Sequence, residues 1–304
     1  MPSGIIVKGI GGFYYVEAQN KLYECKARGI FRKEEIVPLP GDQVVISIID
    51  AEKRLGIIDE ILPRSSLLIR PAVANINQVV MVIAAKSPSP DMMLLDKLLI
   101  TAEYKDLKSI ICINKVDLDP EGKFRNIVEM YKKPGYTVIP ISIVDNIGFD
   151  QLRACLQDKT SVFAGQSGVG KSTLLNRVMN SMVMKIGEIS ERNERGKHTT
   201  RHAELLKLVE GGFIVDTPGF SSFELSGVKL DELQFYYPEM EECKNKCRFT
   251  GCSHINEPDC AVKEAVGDGR MDRSRYDRYI ELHKILKEEK DNEYKKKDKR
   301  GCKK

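Results

Sequence analysis

Two clusters of residues in this 304-residue chain have types and spacing suited to chemistry. The first is "GQSGVGKS", Gly165 to Ser172, set between the apolar run "SVFA" and the helix-forming "STLLNRVMN". A glycine loop between strand and helix is built for phosphate. Gly165, Gly168 and Gly170 let the backbone N–H groups of a stretch that includes Gln166, Ser167 and Val169 converge on anionic oxygens. The positive end of the following helix, opening on Ser172 and Thr173, reinforces them. Lys171 stands where an ammonium reaches β- and γ-phosphates, and Ser172 where a hydroxyl oxygen reaches Mg²⁺. The second cluster is "CKNKCRFTGCSHINEPDC", which spaces Cys247, Cys252, His254 and Cys260 as Cys-x4-Cys-x-His-x5-Cys. Three thiolates and an imidazole make a closed tetrahedral zinc site with no open position, so one zinc held here is structural. Cys243 is a spare thiol that could replace Cys247. Half of the chain's eight cysteines crowd into this stretch, which in a reducing compartment points to metal rather than to disulfides.

Two further motifs complete the first cluster. In "FIVDTPGF" an apolar strand ends at Asp216, whose carboxylate at a sheet edge suits Mg²⁺ held through water, and Gly219 offers a backbone N–H to a γ-phosphate. In "IICINKVDL" an apolar strand runs into Asn114, Lys115 and Asp117, resembling the NKxD motif of GTPases. A carboxylate at Asp117 accepts from guanine N1–H and the exocyclic amine, which adenine does not offer in that arrangement. Asn114 ties this loop to the phosphate loop, Lys115 covers the base with its stem, and Ser142 in "VIPIS" lies next to guanine O6. The residue after Ser142 is Ile143, where the motif usually has alanine. Base reading therefore comes first in the chain, the phosphate loop second and the DTPG turn last, a circular permutation that leaves strand neighbours unchanged. Between the phosphate loop and DTPG lies the polar, glycine-punctuated "GEISERNERGKHTTRHAELL". Thr199 or Thr200 is placed to bind Mg²⁺ and sense the γ-phosphate. Phe220 follows DTPG where a water-orienting glutamine is otherwise found, leaving His198 as the nearest group to orient water; a solvated loop histidine is the competing reading.

These groups need a frame. Residues 1–67 read as five short strands with turns between them and no helical periodicity, which predicts an OB-like β-barrel. Residues 68–228 alternate continuous apolar runs with helical stretches such as "MMLLDKLLITAEYK", predicting a doubly wound α/β sheet. Residues 229–304 hold the cysteine cluster, the helical "RYDRYIELHKILKEEK" and a basic tail, "YKKKDKRGCKK", expected to be disordered and solvated, with a contact to phosphate as the alternative. The cysteine stretch has few large apolar residues for a core of its own, so the metal is expected to order it. A net charge of +4 permits a nucleic-acid partner without demanding one. In the barrel Phe13, Tyr14, Tyr15 and Tyr23 lie near Lys8, Lys21, Lys26 and Arg28, a composition compatible with base stacking and equally with a barrel core. No run suits a membrane span or a secretory leader, so the expected location is the cytoplasm.

The order barrel, NKVD, GQSGVGKS, KHTTR, DTPGF and Cys-x4-Cys-x-His-x5-Cys resembles the circularly permuted ribosome small-subunit-dependent GTPase A (RsgA) family over essentially the whole chain. The resemblance implies an α/β permuted GTPase domain flanked by an N-terminal OB-like barrel and a C-terminal, mainly helical zinc domain. It further implies a protein that hydrolyses GTP to GDP with Mg²⁺, binds the 30S subunit and 16S rRNA late in subunit maturation, and is stimulated by that subunit; a monomer is the expected state. Competing readings are a small-molecule kinase, opposed by NKVD and the paired threonines, and a zinc-containing RNA-binding module with a weakly active nucleotide site, opposed by intact Lys171, Ser172 and Asp216.

Replacing Asp117 by Asn mismatches the guanine N1–H edge and matches the acceptor that xanthine presents there. Asp117→Asn is expected to lose GDP affinity and gain affinity for xanthosine diphosphate in a calorimetric titration. Unchanged GDP affinity would remove the NKVD assignment.

Overall fold

The computed structural model describes residues 1–69, 71–182, 203–216, 225 and 227–301. Five strands, β1 (Ser3–Ile10), β2 (Phe13–Ala18), β3 (Lys21–Ala27), β4 (Gln43–Asp50) and β5 (Leu55–Ile61), close into a barrel in the order β1-β2-β3-β5-β4. A short helix, α1 (Gly29–Lys33), follows β3, which pairs in parallel with β5 while every other pair is antiparallel. This is the OB-like barrel expected from the sequence. Ile6, Val16, Tyr23, Cys25, Val44, Ile46 and Ile58 fill it. Of the aromatics considered for base stacking, Tyr23 is core, while Tyr14 and Tyr15 are partly buried. Phe13 alone is exposed, with the Lys26 ammonium 5.1 Å from its ring centre.

A hairpin of β6 (Leu67–Ile69) and β7 (Ala72–Ala74) follows the barrel and packs on it at Gly41. A side chain on Gly41 would put its Cβ 2.0 Å from the Ala74 carbonyl oxygen, at a backbone φ of +91° that glycine accepts most readily. Beside it the fully buried Asp42 accepts from Arg64 Nε at 2.7 Å and Nη2 at 2.8 Å, and from Leu39 N–H at 2.7 Å.

The next six strands form one sheet in the order β10-β9-β8-β11-β13-β12. They are β8 (Gln78–Ala84), β9 (Lys108–Asn114), β10 (Thr137–Pro140), β11 (Thr160–Ala164), β12 (Glu204–Lys207) and β13 (Phe213–Asp216); all run parallel except β12. Every residue of β8 and β11 is buried, as continuous apolar runs require when both faces are covered. Alternate residues serve opposite faces. Val79, Met81 and Ile83 meet α2 (Met92–Tyr104) and α3 (Phe124–Lys132), while Val80, Val82 and Ala84 meet α4 (Phe149–Leu156) and α5 (Lys171–Met182). The barrel docks on the edge strand: Val7 joins the core that holds Leu205, Lys8 pairs with Glu204 at 3.4 Å, and Lys207 pairs with the buried Glu17.

The last region holds two 3-10 turns, Leu233–Tyr236 and Pro238–Cys243, then α6 (Ala261–Gly267) and α7 (Arg273–Gly301). Two expectations are corrected here. The basic tail is not irregular: the α7 backbone continues through it to Gly301, in a stretch of Lys, Glu, Asp and Arg without proline that suits a helix. The metal-bearing segment does not lack a core, because Tyr237, Met240, Tyr276, Tyr279, Leu282 and Leu286 pack around Cys252 and Cys260 and against Ile100 of α2. A second contact between α7 and the sheet domain is ionic. Asp96 of α2, fully buried, accepts from Arg275 Nη1 and Arg278 Nε, each at 2.5 Å. Among the described residues no helix is long and apolar enough to cross a membrane.

Removing the Asp42 carboxylate strands the Arg64 guanidinium and the Leu39 N–H together. Asp42→Ala is expected to destabilise the barrel by about 2 kcal/mol, read as an earlier urea transition of the barrel tyrosines with sheet-domain nucleotide affinity retained.

Candidate functional site

The sheet brings the predicted loops to one edge. β11 sits between β8 and β13 and delivers the glycine loop at its C-terminal end; β9, on the other side of β8, delivers the Asn114–Asp117 loop there too. Ligands of open α/β sheets bind outside these carboxyl ends. Two glycines of the loop are forced by geometry. At Gly165, φ +142°, a Cβ would lie 2.1 Å from the Val82 carbonyl oxygen, and at Gly170, φ +92°, 2.4 Å from Asn114 Nδ2. Val169 between them is fully buried and anchors the loop in the α4/α5 core. The Lys171 ammonium lies across the loop and donates to the Gly165 and Gln166 carbonyls at 2.6 and 2.7 Å. Burial pulls its pKa down from the ordinary lysine value. Ser167 and Gly168 are exposed at the loop's tip, and Ser172 and Thr173 are exposed in the first turn of α5.

Asn114 joins the two loops. It is buried, and its Nδ2 donates to the Val169 carbonyl at 2.9 Å, while its Oδ1 is buried with no partner among the described residues. Lys115 takes a left-handed backbone (φ +61°) and its ammonium donates to the Ser87 carbonyl at 2.6 Å and the Gly168 carbonyl at 2.8 Å. Its stem therefore bridges three loops at the edge. Ser142, fully buried, donates through Oγ to Asp117 Oδ1 at 2.8 Å and stands 3.1 Å from Asp145 Oδ2. The Asp117 carboxylate is thus oriented by its neighbours and half-buried, as a group that reads a base edge requires. The contacts of Ser87 and Asp145 leave no motif signal in the sequence. Asp216 closes β13, one residue past the Val162–Val215 pair, and is described at its backbone only. His198, Thr199, Thr200 and Gly219 lie outside the described residues.

The second cluster gathers Cys247, Cys252, His254 and Cys260, whose ligand atoms all lie within 4.8 Å of one another. His254 Nδ1 is 3.5 Å from Cys247 Sγ and 3.4 Å from Cys260 Sγ, and the two sulfurs are 3.9 Å apart. Zinc–sulfur bonds of the usual length set tetrahedral sulfur–sulfur edges of about 3.8 Å. The four side chains fit zinc. Cys243 is not among them; it is buried, and its thiol donates to the Ala261 carbonyl. Burial, with the neighbouring Cys260 and Cys247, pushes the Cys252 thiol up to about 12, so a divalent cation is what would stabilise its thiolate. The outer shell is ready: Gln234 Oε1 accepts from His254 Nε2 at 2.7 Å, which leaves Nδ1 to the cluster, and Tyr276 O–H donates to the His254 carbonyl at 2.6 Å. Glu257 holds the turn through Ser253 and Ile255. Burial acts to raise its pKa, and the hydrogen bonds from Ser253 and the turn's N–H groups outweigh it, leaving it at about 2.

A glycine loop at the centre of a mainly parallel sheet, a base-reading loop across β8 from it that precedes it in the chain, and a barrel in front define a circularly permuted P-loop GTPase. The chain belongs to the RsgA GTPase family: that family's profile matches residues 61–226, and the RsgA N-terminal domain profile matches residues 3–58. It is 56% identical to the small ribosomal subunit biogenesis GTPase RsgA of Ruminiclostridium cellulolyticum, over 95% of each chain. The protein of the same name from Alkaliphilus metalliredigens is 48% identical over 93% of this chain and 97% of its own. Among solved structures, YjeQ from Thermotoga maritima superposes with a TM-score of 0.81 at 35% identity, covering 94% of this chain and 98% of that one. YloQ, described as a circularly permuted GTPase, superposes at 0.80 with 40% identity, covering 95% and 96%. The protein is a GTP hydrolase.

Gly165→Ala forces a Cβ into the Val82 carbonyl and must push the loop off β8. It is expected to lower GDP affinity at least tenfold, about 1.4 kcal/mol or more, with the thermal transition of the barrel unchanged. Retained affinity would show that the loop tolerates displacement and does not grip phosphate.

Proposed function

We propose that this GTPase acts on the small ribosomal subunit in late maturation, binding 30S and its 16S rRNA in the GTP state and leaving after hydrolysis to GDP and phosphate. The reading is carried by near-full-length identity to proteins named small ribosomal subunit biogenesis GTPase RsgA. It places the protein in the cytoplasm and treats it as a monomer. We divide the chain into an RNA-binding barrel, residues 1–67, a GTPase domain, 68–228, and a zinc domain, 229–304. In the nucleotide site the N–H groups from Gly165 to Thr173 and the Lys171 ammonium take the phosphates. Asp117 takes the guanine edge, Ser142 stands beside it, and Asn114 and Lys115 hold the base loop against the phosphate loop. Ser172, one of Thr199 or Thr200, and Asp216 are assigned to Mg²⁺, which offsets charge on the β- and γ-phosphates. Gly219 is assigned to the γ-phosphate.

Hydrolysis in this reading depends on the subunit. Phe220 cannot orient a water, so the role is assigned to His198, brought to the γ-phosphate when the subunit is bound. Purified 30S subunits are expected to raise GTP turnover, and His198→Ala to keep GTP affinity and the low intrinsic rate while losing most of the stimulation. Turnover indifferent to 30S would overturn the ribosomal reading, whereas stimulation intact in His198→Ala would move the water-orienting role elsewhere.

Zinc at Cys247, Cys252, His254 and Cys260 is assigned a structural role, with one ion per chain. Elemental analysis of freshly purified protein is expected to give that ratio, and Cys252→Ser to abolish it and loosen residues 229–272 against proteolysis. A metal-free wild type would refute the assignment.

A further inference from the structure

We propose that Arg275, in the C-terminal domain, is a positioning residue for guanine nucleotide binding, acting through the two helices that carry the base-reading loops. The proposal rests on the assignment of Asn114–Asp117 to the base.

The first link runs from the site to α2 and α3. The loop between β8 and α2 is tied to the base loop twice: Ala85 N–H donates to the Asn114 carbonyl at 2.8 Å, and Lys115 donates to the Ser87 carbonyl at 2.6 Å. That loop ends at Asp91, which caps α2 by accepting from Leu94 N–H at 2.8 Å. On the other side Asp119, two residues past Asp117, accepts from Phe124 N–H at 2.8 Å and so starts α3. A shift of either helix therefore moves one wall of the base site.

The second link joins the helices to each other and to α7. Tyr131 of α3 donates to Asp96 Oδ1 of α2 at 2.6 Å. Arg275 donates to the same oxygen, and Arg278 takes Asp96 Oδ2 at 2.5 Å while reaching Tyr131 Oη at 3.3 Å. Arg275 also pairs with Glu239, and its guanidinium lies 4.9 Å from the ring centres of Tyr131 and Tyr237 and 5.6 Å from that of Tyr136. Its side chain is 1% exposed, Asp96 0% and Glu239 4%, so the forked cation is held by two carboxylates and three rings in a dry site. Two arginines and two carboxylates make the cluster neutral, and its geometry fixes how far apart α2 and α3 stand. Only a planar fork serves two carboxylates while lying among the rings, so lysine cannot substitute fully.

A brace of this kind works in both directions, because coupling between binding events is reciprocal. Guanine nucleotide, by fixing the base loops, tightens α7 on the sheet domain; a C-terminal domain seated correctly improves nucleotide affinity. The chemical step is not touched, so the effect belongs in affinity and KM rather than kcat.

The test uses full-length, zinc-loaded protein with Mg²⁺ and calorimetric titration of GDP and GTP. Arg275→Met is expected to weaken both nucleotides by roughly three- to thirtyfold, to leave kcat at saturation within about twofold, and to keep every site competent. Arg275→Lys should recover part of the loss. The double variant Glu239→Gln/Arg275→Met keeps the cluster neutral, and is expected to fold with its zinc and still bind weakly. In the wild type, saturating GDP should slow amide exchange in the first turns of α7, a readout that needs no variant. A reduced fraction of competent sites at unchanged Kd, or α7 exchange indifferent to GDP, would overturn the proposal. Asp117→Asn, titrated alongside, separates the two readings: if it weakens GDP and the Arg275 variants do not, the brace is wrong and the site stands, and if it does not, the base assignment itself falls.

Discussion

The hydrogen bond from Asn114 Nδ2 to the Val169 carbonyl is the joint on which the nucleotide site depends, because it ties the loop that reads a base to the loop that grips phosphate. Those loops come from strands on either side of β8 and are distant in sequence, so only the finished sheet brings them together. The permutation follows from this constraint. A parallel sheet requires each strand to have the right neighbours and the right direction, and places no condition on which strand the chain enters first. Here the chain enters at β8 and leaves at β13, and the phosphate loop still lies at the sheet's centre.

That entry and exit set the connections of the flanking domains. The barrel precedes β8 and rests on the edge strand β12 through Lys8–Glu204 and Lys207–Glu17, the strand that follows Thr199 and Thr200 in the sequence. The C-terminal region follows β13 and returns across α2 and α3 through Asp96, Arg275 and Arg278. Both appendages thus grip elements that lead directly to the nucleotide. Breaking the buried Asp96–Arg275 pair by removing one partner leaves a charge with little water, a cost of about 3–5 kcal/mol, whereas the partly exposed Lys8–Glu204 pair contributes about 1 kcal/mol or less. Such contacts specify one arrangement strongly.

The chemistry was legible in the sequence wherever it is local. Glycine-x4-glycine-lysine-serine, Asn-Lys-x-Asp and the cysteine spacing are consequences of a few adjacent backbone conformations, so they survive as strings. The barrel and the sheet were legible because alternation and continuous apolar runs report burial on one face or two. What connects distant elements was not. Gln234 against His254, Lys115 against the Ser87 carbonyl and Asp96 against Arg275 are polar side chains whose partners lie in other elements, and nothing periodic marks them. The core of the last region is hard to see in composition because tyrosines supply much of it, and the hydroxyls of Tyr276 and Tyr279 are satisfied by backbone carbonyls of the Ser253–His254 turn. Tyr276 on His254 and Tyr279 on Ser253 bury rings that composition alone counts as half polar. The tail's charge points to disorder, yet Lys, Glu and Arg are good helix formers and the α7 backbone extends through it to Gly301.

The most direct measurement of the central claim is base discrimination by the wild-type protein. Calorimetric titrations with GDP and ADP, at equal Mg²⁺ and salt, present the same diphosphate to the glycine loop and differ only at the base. A half-buried Asp117 oriented by Ser142 predicts that GDP binds and ADP binds at least a hundredfold more weakly, about 2.7 kcal/mol. Equal affinity for the two would mean that the phosphate loop acts alone, contradicting a site in which Asn114 joins a base reader to it.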